Sequence, residues 1–226
     1  MLKDLFHLMY PELCAVCGEA LVRQEQHICM ACLNAFPQTG FHTWPGNEVE
    51  RRFWGKVPVE RGIAFFYYDK ESALQQAIFQ LKYRGEKELG TVLGRYAGTA
   101  LAEAGVYDAV DVIVPVPLHP KKRAKRGYNQ SEWIARGLAE KINKPMDTEH
   151  LVHQTENASQ THKSLFDRYL NMQGVFALTD PLAFAHKHVL LVDDVITTGS
   201  TLEACIQALL QSPGVKVSVF ALAMAH

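Results

Sequence analysis

The sequence predicts an α/β protein, a parallel sheet with helices on its crossovers, preceded by a small N-terminal module built on four cysteines. Three observations carry this. Largely apolar runs of strand length occur at 110–117 (VDVIVPVP), 189–192 (VLLV) and 215–223 (VKVSVFALA), the pattern of strands covered on both faces. Between them the apolar residues recur at helical spacing, and strands alternating with helices imply right-handed βαβ crossovers. Ahead of them, Cys14-x2-Cys17 and Cys29-x2-Cys32 use four of the five cysteines.

Size and composition bound the rest. With 226 residues there is room for one α/β domain and a small extra module. A hydrophobic content of 48% with 21% charged residues is that of a globular chain. The net charge of −1 gives no global electrostatic reason for a nucleic-acid or membrane partner. The start, MLKDLFHLMYPELC, lacks a long apolar core and carries Asp4, a poor signal peptide. No apolar run reaches the ~20 residues of a membrane span. The expected compartment is the cytoplasm, where stable disulfides are rare. The expected division is 1–40, a module; 41–70, a connecting segment; and 71–226, the α/β domain.

In the first unit, two CxxC pairs 11 residues apart suit a four-cysteine zinc site of ribbon or knuckle type. A lone CxxC would fit a redox motif equally well; two in one reduced chain favour metal. Such a site is closed, so its role is folding or docking. Leu2, Leu5, Phe6 and Met9 have helical spacing, which predicts a short amphipathic helix before Pro11. In 41–70, Pro45-Gly46, Gly55 and Pro58 punctuate a linker, and Trp44, Phe53 and Trp54 are read as aromatic anchors onto the core. Gly62–Tyr68 reads as a strand.

Two helical pieces follow within 72–104, marked by Leu74, Ala77, Ile78 and Leu81, then by Leu89, Val92, Leu93, Tyr96, Ala97 and Leu101. Lys82-Tyr83-Arg84-Gly85 between them reads locally as a helix end capped by cations and a glycine. After the 110–117 strand, residues 121–126 carry five cations in six positions. This basic loop can be a solvated surface, a nucleic-acid patch or a pyrophosphate site. Its place at the C-terminal end of a strand, where open α/β sheets bind ligands, favours the last. A helix through Ile134, Leu138 and Ile142 comes next. Thr148–His153 reads as a further strand, the polar stretch Gln154–Asn171 as a loop, and 201–211 as a helix on which Cys205 is core. There is no GxGxxG or Walker A run, so dinucleotide and NTPase readings lack a motif.

The chemistry concentrates in VLLVDDVITTGST, 189–201. A buried strand delivers Asp193 and Asp194, and a loop of small hydroxylic residues around Gly199 leads into a helix. The backbone N–H groups of such a loop and helix start favour a phosphate, and Thr197, Thr198, Ser200 and Thr201 can add hydrogen bonds. The carboxylates repel phosphate but accept bonds from the vicinal hydroxyls of a ribose. Together these suggest a ribose 5-phosphate site; the bland alternative is an ordinary βα turn with a capping Thr or Ser.

This run resembles the signature of the type I phosphoribosyltransferases, which bind 5-phosphoribosyl-1-pyrophosphate (PRPP). Over nearly its full length the chain resembles the ComF/GntX family, competence-associated proteins described as phosphoribosyltransferase-like. The resemblance rests on the paired CxxC module, Lys82-Tyr83-Arg84-Gly85, Arg126-Gly127-Tyr128-Asn129-Gln130, the segment Gln160…Arg168…Asn171, and the PRPP run. His162-Lys163 departs from the small or apolar residues expected there. The resemblance implies a type I phosphoribosyltransferase-like domain that displaces pyrophosphate from the ribose anomeric carbon with a nitrogen nucleophile. In that scheme Asp193 and Asp194 hold the 2- and 3-hydroxyls, Thr197 to Thr201 hold the 5-phosphate, and Mg²⁺ bridges pyrophosphate oxygens. Arg123, Lys125 and Arg126, with Lys82, balance the remaining charge, and the 154–171 loop closes over the site. It also implies an association with DNA uptake and a helicase or other DNA-processing partner. The competing functions are a non-catalytic adaptor binding single-stranded DNA or a helicase partner, and a hydrolase that releases pyrophosphate without transfer.

Overall fold

The apolar runs make the sheet. The computed structural model describes residues 11–154 and 174–225. Among the described residues the strands are β1 (Gly62–Tyr68), β2 (Val112–Pro115), β3 (Leu151–His153), β4 (Phe176–Leu178), β5 (His188–Ile196) and β6 (Lys216–Ala225). Four of them form one parallel sheet in the order β1-β6-β5-β2. Val189–Val192 and Val217–Met224 are buried throughout, as continuous apolar strands in the middle of a covered sheet must be.

Both sheet edges are occupied. Beside β2, Ile113 N donates to Pro145 O and Asp147 N to Ile113 O, each at 2.9 Å. Beside β1, Tyr67 N donates to Pro37 O at 2.8 Å and Thr39 N to Phe65 O at 3.0 Å. Covering the ladder groups removes a template for unwanted strand pairing.

The helices are α1 (Met30–Ala35), α2 (Glu48–Arg51), α3 (Ala73–Tyr83), α4 (Lys87–Glu103), α5 (Pro120–Arg126), α6 (Gln130–Ile142) and α7 (Ser200–Leu209). α3 starts where Ser72 Oγ accepts from Gln75 N at 3.1 Å and ends before Gly85, at φ 83°. α4 and α6 pack backbone to backbone. A Cβ at Gly94 would overlap the Ile134 carbonyl, and one at Gly137 would overlap the Thr91 carbonyl. Glycine at these two positions lets the helices approach and sets where the start of α6 stands.

Several expectations change. The basic loop 121–126 is a helix: Pro120 takes its first position, His119 caps it, and Gly127 ends it at φ 84°. None of its residues is buried, so it has no apolar periodicity for sequence reading to catch. Thr148–His153 gives only the short β3, which pairs antiparallel with β4 as a separate hairpin instead of joining the parallel sheet. Of the three expected aromatic anchors, Phe53 is buried, whereas Trp54 is 66% and Trp44 42% exposed. β1, placed by sequence in the connecting segment, is an edge strand of the sheet. Its start is held by buried Asn47 and Glu50: Asn47 Nδ2 donates to Gly62 O at 2.8 Å, and Glu50 Oε1 accepts from Gly62 N at 3.1 Å. The helix expected before Pro11 and nearly all of the 154–171 stretch, with Gln160, His162-Lys163, Arg168 and Asn171, lie outside the described residues. Among the described residues no helix is long and apolar enough to cross a membrane.

Candidate functional site

The C-terminal ends of β2 and β5 lie side by side, with Pro115 opposite Val192 and Val116 N donating to Val192 O at 2.8 Å. β5 runs on past its neighbour to Ile196, so Asp193 and Asp194 stand on the strand itself, just beyond the end of β2. Consecutive strand residues face opposite sides of a sheet, and the aspartates separate accordingly. Asp193 Oδ1 accepts from Ser131 Oγ at 3.0 Å and from Asp194 N at 2.8 Å. Asp194 is buried, with Lys82 Nζ 2.9 Å from its Oδ2, an ion pair without the alignment of a directed hydrogen bond. Burial, then repulsion from Asp194, raises the Asp193 carboxyl to about 7, although the Asp194 N–H, Ser131 and Lys82 all pull the other way.

The 197–201 loop follows. Gly199, at φ 85°, is the N-cap of α7 and makes no side-chain cap bond. The helix start thus offers its N–H groups without a capping carboxylate or hydroxyl from Gly199 itself. Gly199 lies against Phe53; a Cβ there would sit 3.5 Å from Phe53 Cε1, so the aromatic anchor of the 41–70 segment supports this loop. Thr198 Oγ1 and Ser200 Oγ are hydrogen bonded at 2.9 Å.

A cavity of about 440 Å³ gathers Asp193, Asp194, Ser200 and Thr201 with Gln130, Ser131, Lys122, His119 and His153. Of the residues expected from sequence, Thr197, Thr198 and Gly199 flank this cavity without lining it. Lys82 reaches Asp194 but lines a neighbouring cavity of about 640 Å³. Arg123 and Arg126 do not line the cavity: Arg123 lies 3.9 Å from Glu132, and Arg126 donates to the cavity-lining Gln130 and stacks 5.4 Å over Tyr83. Lys125 is exposed on the same short helix. The cation on the cavity wall is Lys122, which the sequence places in the 121–126 basic run without naming it individually.

The block Arg126–Gln130 joins these parts. Gly127 ends α5, and Tyr128 Oη donates to Leu81 O at the end of α3, next to Lys82. Asn129 caps α6 by accepting from Ser131 N at 3.2 Å and donates to Val116 O at 2.9 Å at the end of β2. Ser131, reached by neither periodicity nor motif, is placed against Asp193 by this cap.

The four cysteines also converge. Their sulfurs all lie within 4.8 Å of one another, Cys17 Sγ and Cys29 Sγ at 3.7 Å. A tetrahedral zinc with Zn–S bonds near 2.3 Å sets its sulfurs roughly 3.8 Å apart, so the donor set fits. Cys14 Sγ accepts from Val16 N and Cys29 N at 3.4 Å each. Burial opposes its ionisation, but backbone N–H donors from Cys17, Cys29 and Val16 outweigh burial and hold the thiol down at about 6, ready to be a thiolate ligand. The module rests on the domain through Phe36 edge-on to Phe66 (5.5 Å), Gln38 Nε2 donating to Tyr96 Oη at 3.0 Å, and His27 3.6 Å from Glu86.

Comparison with known proteins agrees with this organisation. Residues 124–226 match the phosphoribosyl transferase domain family. Competence protein F of Haemophilus influenzae is 30% identical over 215 residues, 94% of this chain and 84% of that protein. The DNA utilization protein YhgH of Escherichia coli is 29% identical, over 93% of this chain and 89% of its own length. Competence protein ComFC of Bacillus subtilis is 27% identical, over 92% and 82%. With near full-length kinship and a four-cysteine cluster ahead of a phosphoribosyl transferase domain, the chain belongs to the ComF/GntX family of phosphoribosyltransferase-like proteins.

Proposed function

We propose that the chain binds PRPP with Mg²⁺ and transfers its phosphoribosyl group to a nitrogenous acceptor, with a structural zinc in its N-terminal module. The names of its relatives suggest a role in competence or DNA utilization. One observation carries the reading: a single cavity brings an acidic pair at the end of a parallel strand together with Ser200 and Thr201 at the start of α7, where the N-cap is Gly199. The carboxylates suit ribose hydroxyls and the helix start suits the 5-phosphate.

The oxygen-rich wall of Asp193, Asp194, Ser200 and Thr201 suits a hard cation carried in on PRPP. When bound, Mg²⁺ supplies charge neutralisation on the pyrophosphate. Lys122 adds positive charge from the wall, with Arg123, Lys125 and Arg126 behind it on α5 and Lys82 beyond Asp194. As the sugar takes on oxocarbenium character, the Asp193 carboxylate lies beside the growing positive charge, a stabilisation also met in glycoside hydrolysis. Ser131 holds that carboxylate in place. Titration calorimetry of PRPP with Mg²⁺ tests the reading. Binding that Asp193→Asn/Asp194→Asn abolishes supports it, and no binding by the wild type at millimolar PRPP overturns it.

A second reading, an adaptor that binds single-stranded DNA, is favoured by one surface. Phe79 and Tyr83 are 45% and 66% exposed with rings 5.2 Å apart, and Arg84 and Arg126 lie 5.7 Å and 5.4 Å from those rings. Aromatic faces backed by arginine suit unstacked bases, at about 1–3 kcal/mol per stacked base. Salt-sensitive binding of an oligonucleotide that Tyr83→Ala/Arg126→Ala weakens would support it; equal binding by variant and wild type would remove it.

A further inference from the structure

Two histidines meet on the wall of the cavity that holds the aspartates. His119 caps α5 and His153 ends β3. Their rings stand edge to face with centroids 4.7 Å apart, and His153 also packs on Phe176 at 5.0 Å. Both are half-buried and both line the cavity.

The main chain fixes a different tautomer in each neutral ring. Lys121 N–H donates to His119 Nδ1 at 3.1 Å, so that nitrogen carries the lone pair and the proton sits on Nε2. His153 Nδ1 lies 2.9 Å from the Gln154 carbonyl oxygen, which can only accept, so His153 carries its proton on Nδ1 and a lone pair on Nε2. The pair therefore presents opposite functions at Nε2: a donor from His119 and an acceptor from His153. A donor beside an acceptor complements an edge with an N–H next to a C=O, and Val175 and Phe176 add an apolar wall for a flat ring.

We infer that His119 and His153 form the acceptor subsite of the cavity, selecting a nitrogen heterocycle or amide whose N–H adjoins a C=O. This rests on the PRPP reading above. In the transfer, the C1–O bond to pyrophosphate breaks and its electron pair leaves with the pyrophosphate oxygen. The acceptor nitrogen's lone pair forms the new C1–N bond, and its proton passes to His153 Nε2. His119 Nε2–H holds the neighbouring carbonyl oxygen. Asp193, Asp194 and Lys122 line the same cavity.

Long-range ¹H–¹⁵N spectra of the full chain, ¹⁵N-labelled, test the inference directly. The expected result is one Nε2–H and one Nδ1–H imidazole at these positions in the neutral state. With PRPP and Mg²⁺ present, uracil or hypoxanthine shifts both Nε2 signals and adenine, which has no C=O, does not. His153→Asn keeps a donor for the Gln154 carbonyl but lacks Nε2. Transfer to the carbonyl-bearing probe should then fall about 10²-fold, the scale of general-base catalysis, with PRPP affinity retained. Matching tautomers, an equal response to adenine, or full transfer in His153→Asn overturns the inference and leaves the PRPP reading standing. Absent PRPP binding overturns that reading, and the acceptor subsite falls with it.

Discussion

Lys82 Nζ lies 2.9 Å from Asp194 Oδ2, while Ser131 Oγ donates to Asp193 Oδ1 at 3.0 Å. The two adjacent aspartates are therefore unequal. One is neutralised by a lysine at the end of α3, and the other is held by a hydroxyl from α6. The Lys82-Tyr83-Arg84-Gly85 turn and the Arg126–Gln130 block each contribute to this division, because Tyr128 ties the end of α3 to the start of α6.

Removing Lys82 leaves a buried carboxylate without its cation. The lysine side chain is 22% exposed and that of Asp194 6%, so the pair is only partly screened by water. Lys82→Met should cost roughly 2–4 kcal/mol, below the full penalty for breaking a deeply buried pair. Lys82→Met/Asp194→Asn should recover part of that loss. Denaturant unfolding of the single and double variants measures it, and strictly additive losses would mean that the pair is not coupled.

Asp193 carries a signed pH dependence. Burial and repulsion from Asp194 raise its folded-state carboxyl to about 7 from 3.8. The folded chain then keeps a proton that the unfolded chain has lost, so this contribution is complete below the unfolded value and fades as pH rises through about 7. Asp193→Asn can still accept from Ser131. It should flatten the stability profile between pH 4 and 8 and leave the variant more stable than wild type at pH 8 by the order of 1 kcal/mol, about 2–4 °C in a chain of this size. PRPP binding should be lost in the same variant. Thermal melts across pH check the first part, and a variant whose profile parallels the wild type would contradict it.

What sequence could and could not reveal follows from where the signals lie. The buried strands at 189–192 and 217–224 announce themselves because burial on both faces leaves a continuous apolar run. The four cysteines announce themselves by spacing, and the convergence of their sulfurs follows from it. α5 reads as a loop in sequence because a helix with no buried residue has no periodicity, and its histidine cap is an uncommon one. Ser131, His119 and His153 escape sequence reading for a different reason. Each reaches the cavity through a tertiary placement, a cap or a hairpin end, that no local pattern encodes. Thr148–His153 reads as a strand, but its antiparallel partner β4 escapes because it is three residues long and pairs across a gap in sequence.

The α4–α6 contact should be intolerant of a single methyl group. At Gly94 a Cβ meets the Ile134 carbonyl oxygen, a backbone atom that cannot rotate away. Alanine is the better helix former by roughly 1 kcal/mol, so in an open helix Gly94→Ala would stabilise. Here overpacking should reverse the sign and cost about 1–3 kcal/mol. The displacement of α6 should also move Ser131 from Asp193 and weaken PRPP binding. Gly85→Ala, at φ 83° with open space around it, tests backbone strain without the steric clash. If Gly94→Ala proved stabilising, the close helix approach would be wrong.

Metal removal separates the N-terminal module from the sheet. A structural zinc contributes about 10 kcal/mol or more to a small module, and residues 11–36 hold few buried apolar side chains apart from Val16, Ile28, Leu33 and Phe36. Chelation or Cys14→Ser should therefore unfold roughly the first 40 residues. β2, β5 and β6 owe their burial to their own strands and helices and should stay protected. The consequence reaches further at β1, whose edge is covered by Pro37 and Thr39 through bonds of 2.8 Å and 3.0 Å. Hydrogen exchange should show amides of residues 14–33 exchanging at once, Tyr67 losing part of its protection because its N–H bonds to Pro37, and Val189–Val192 unchanged. Exchange spreading through β5 would mean that module and sheet form one cooperative unit, because the central strand cannot lose protection unless the core opens with it.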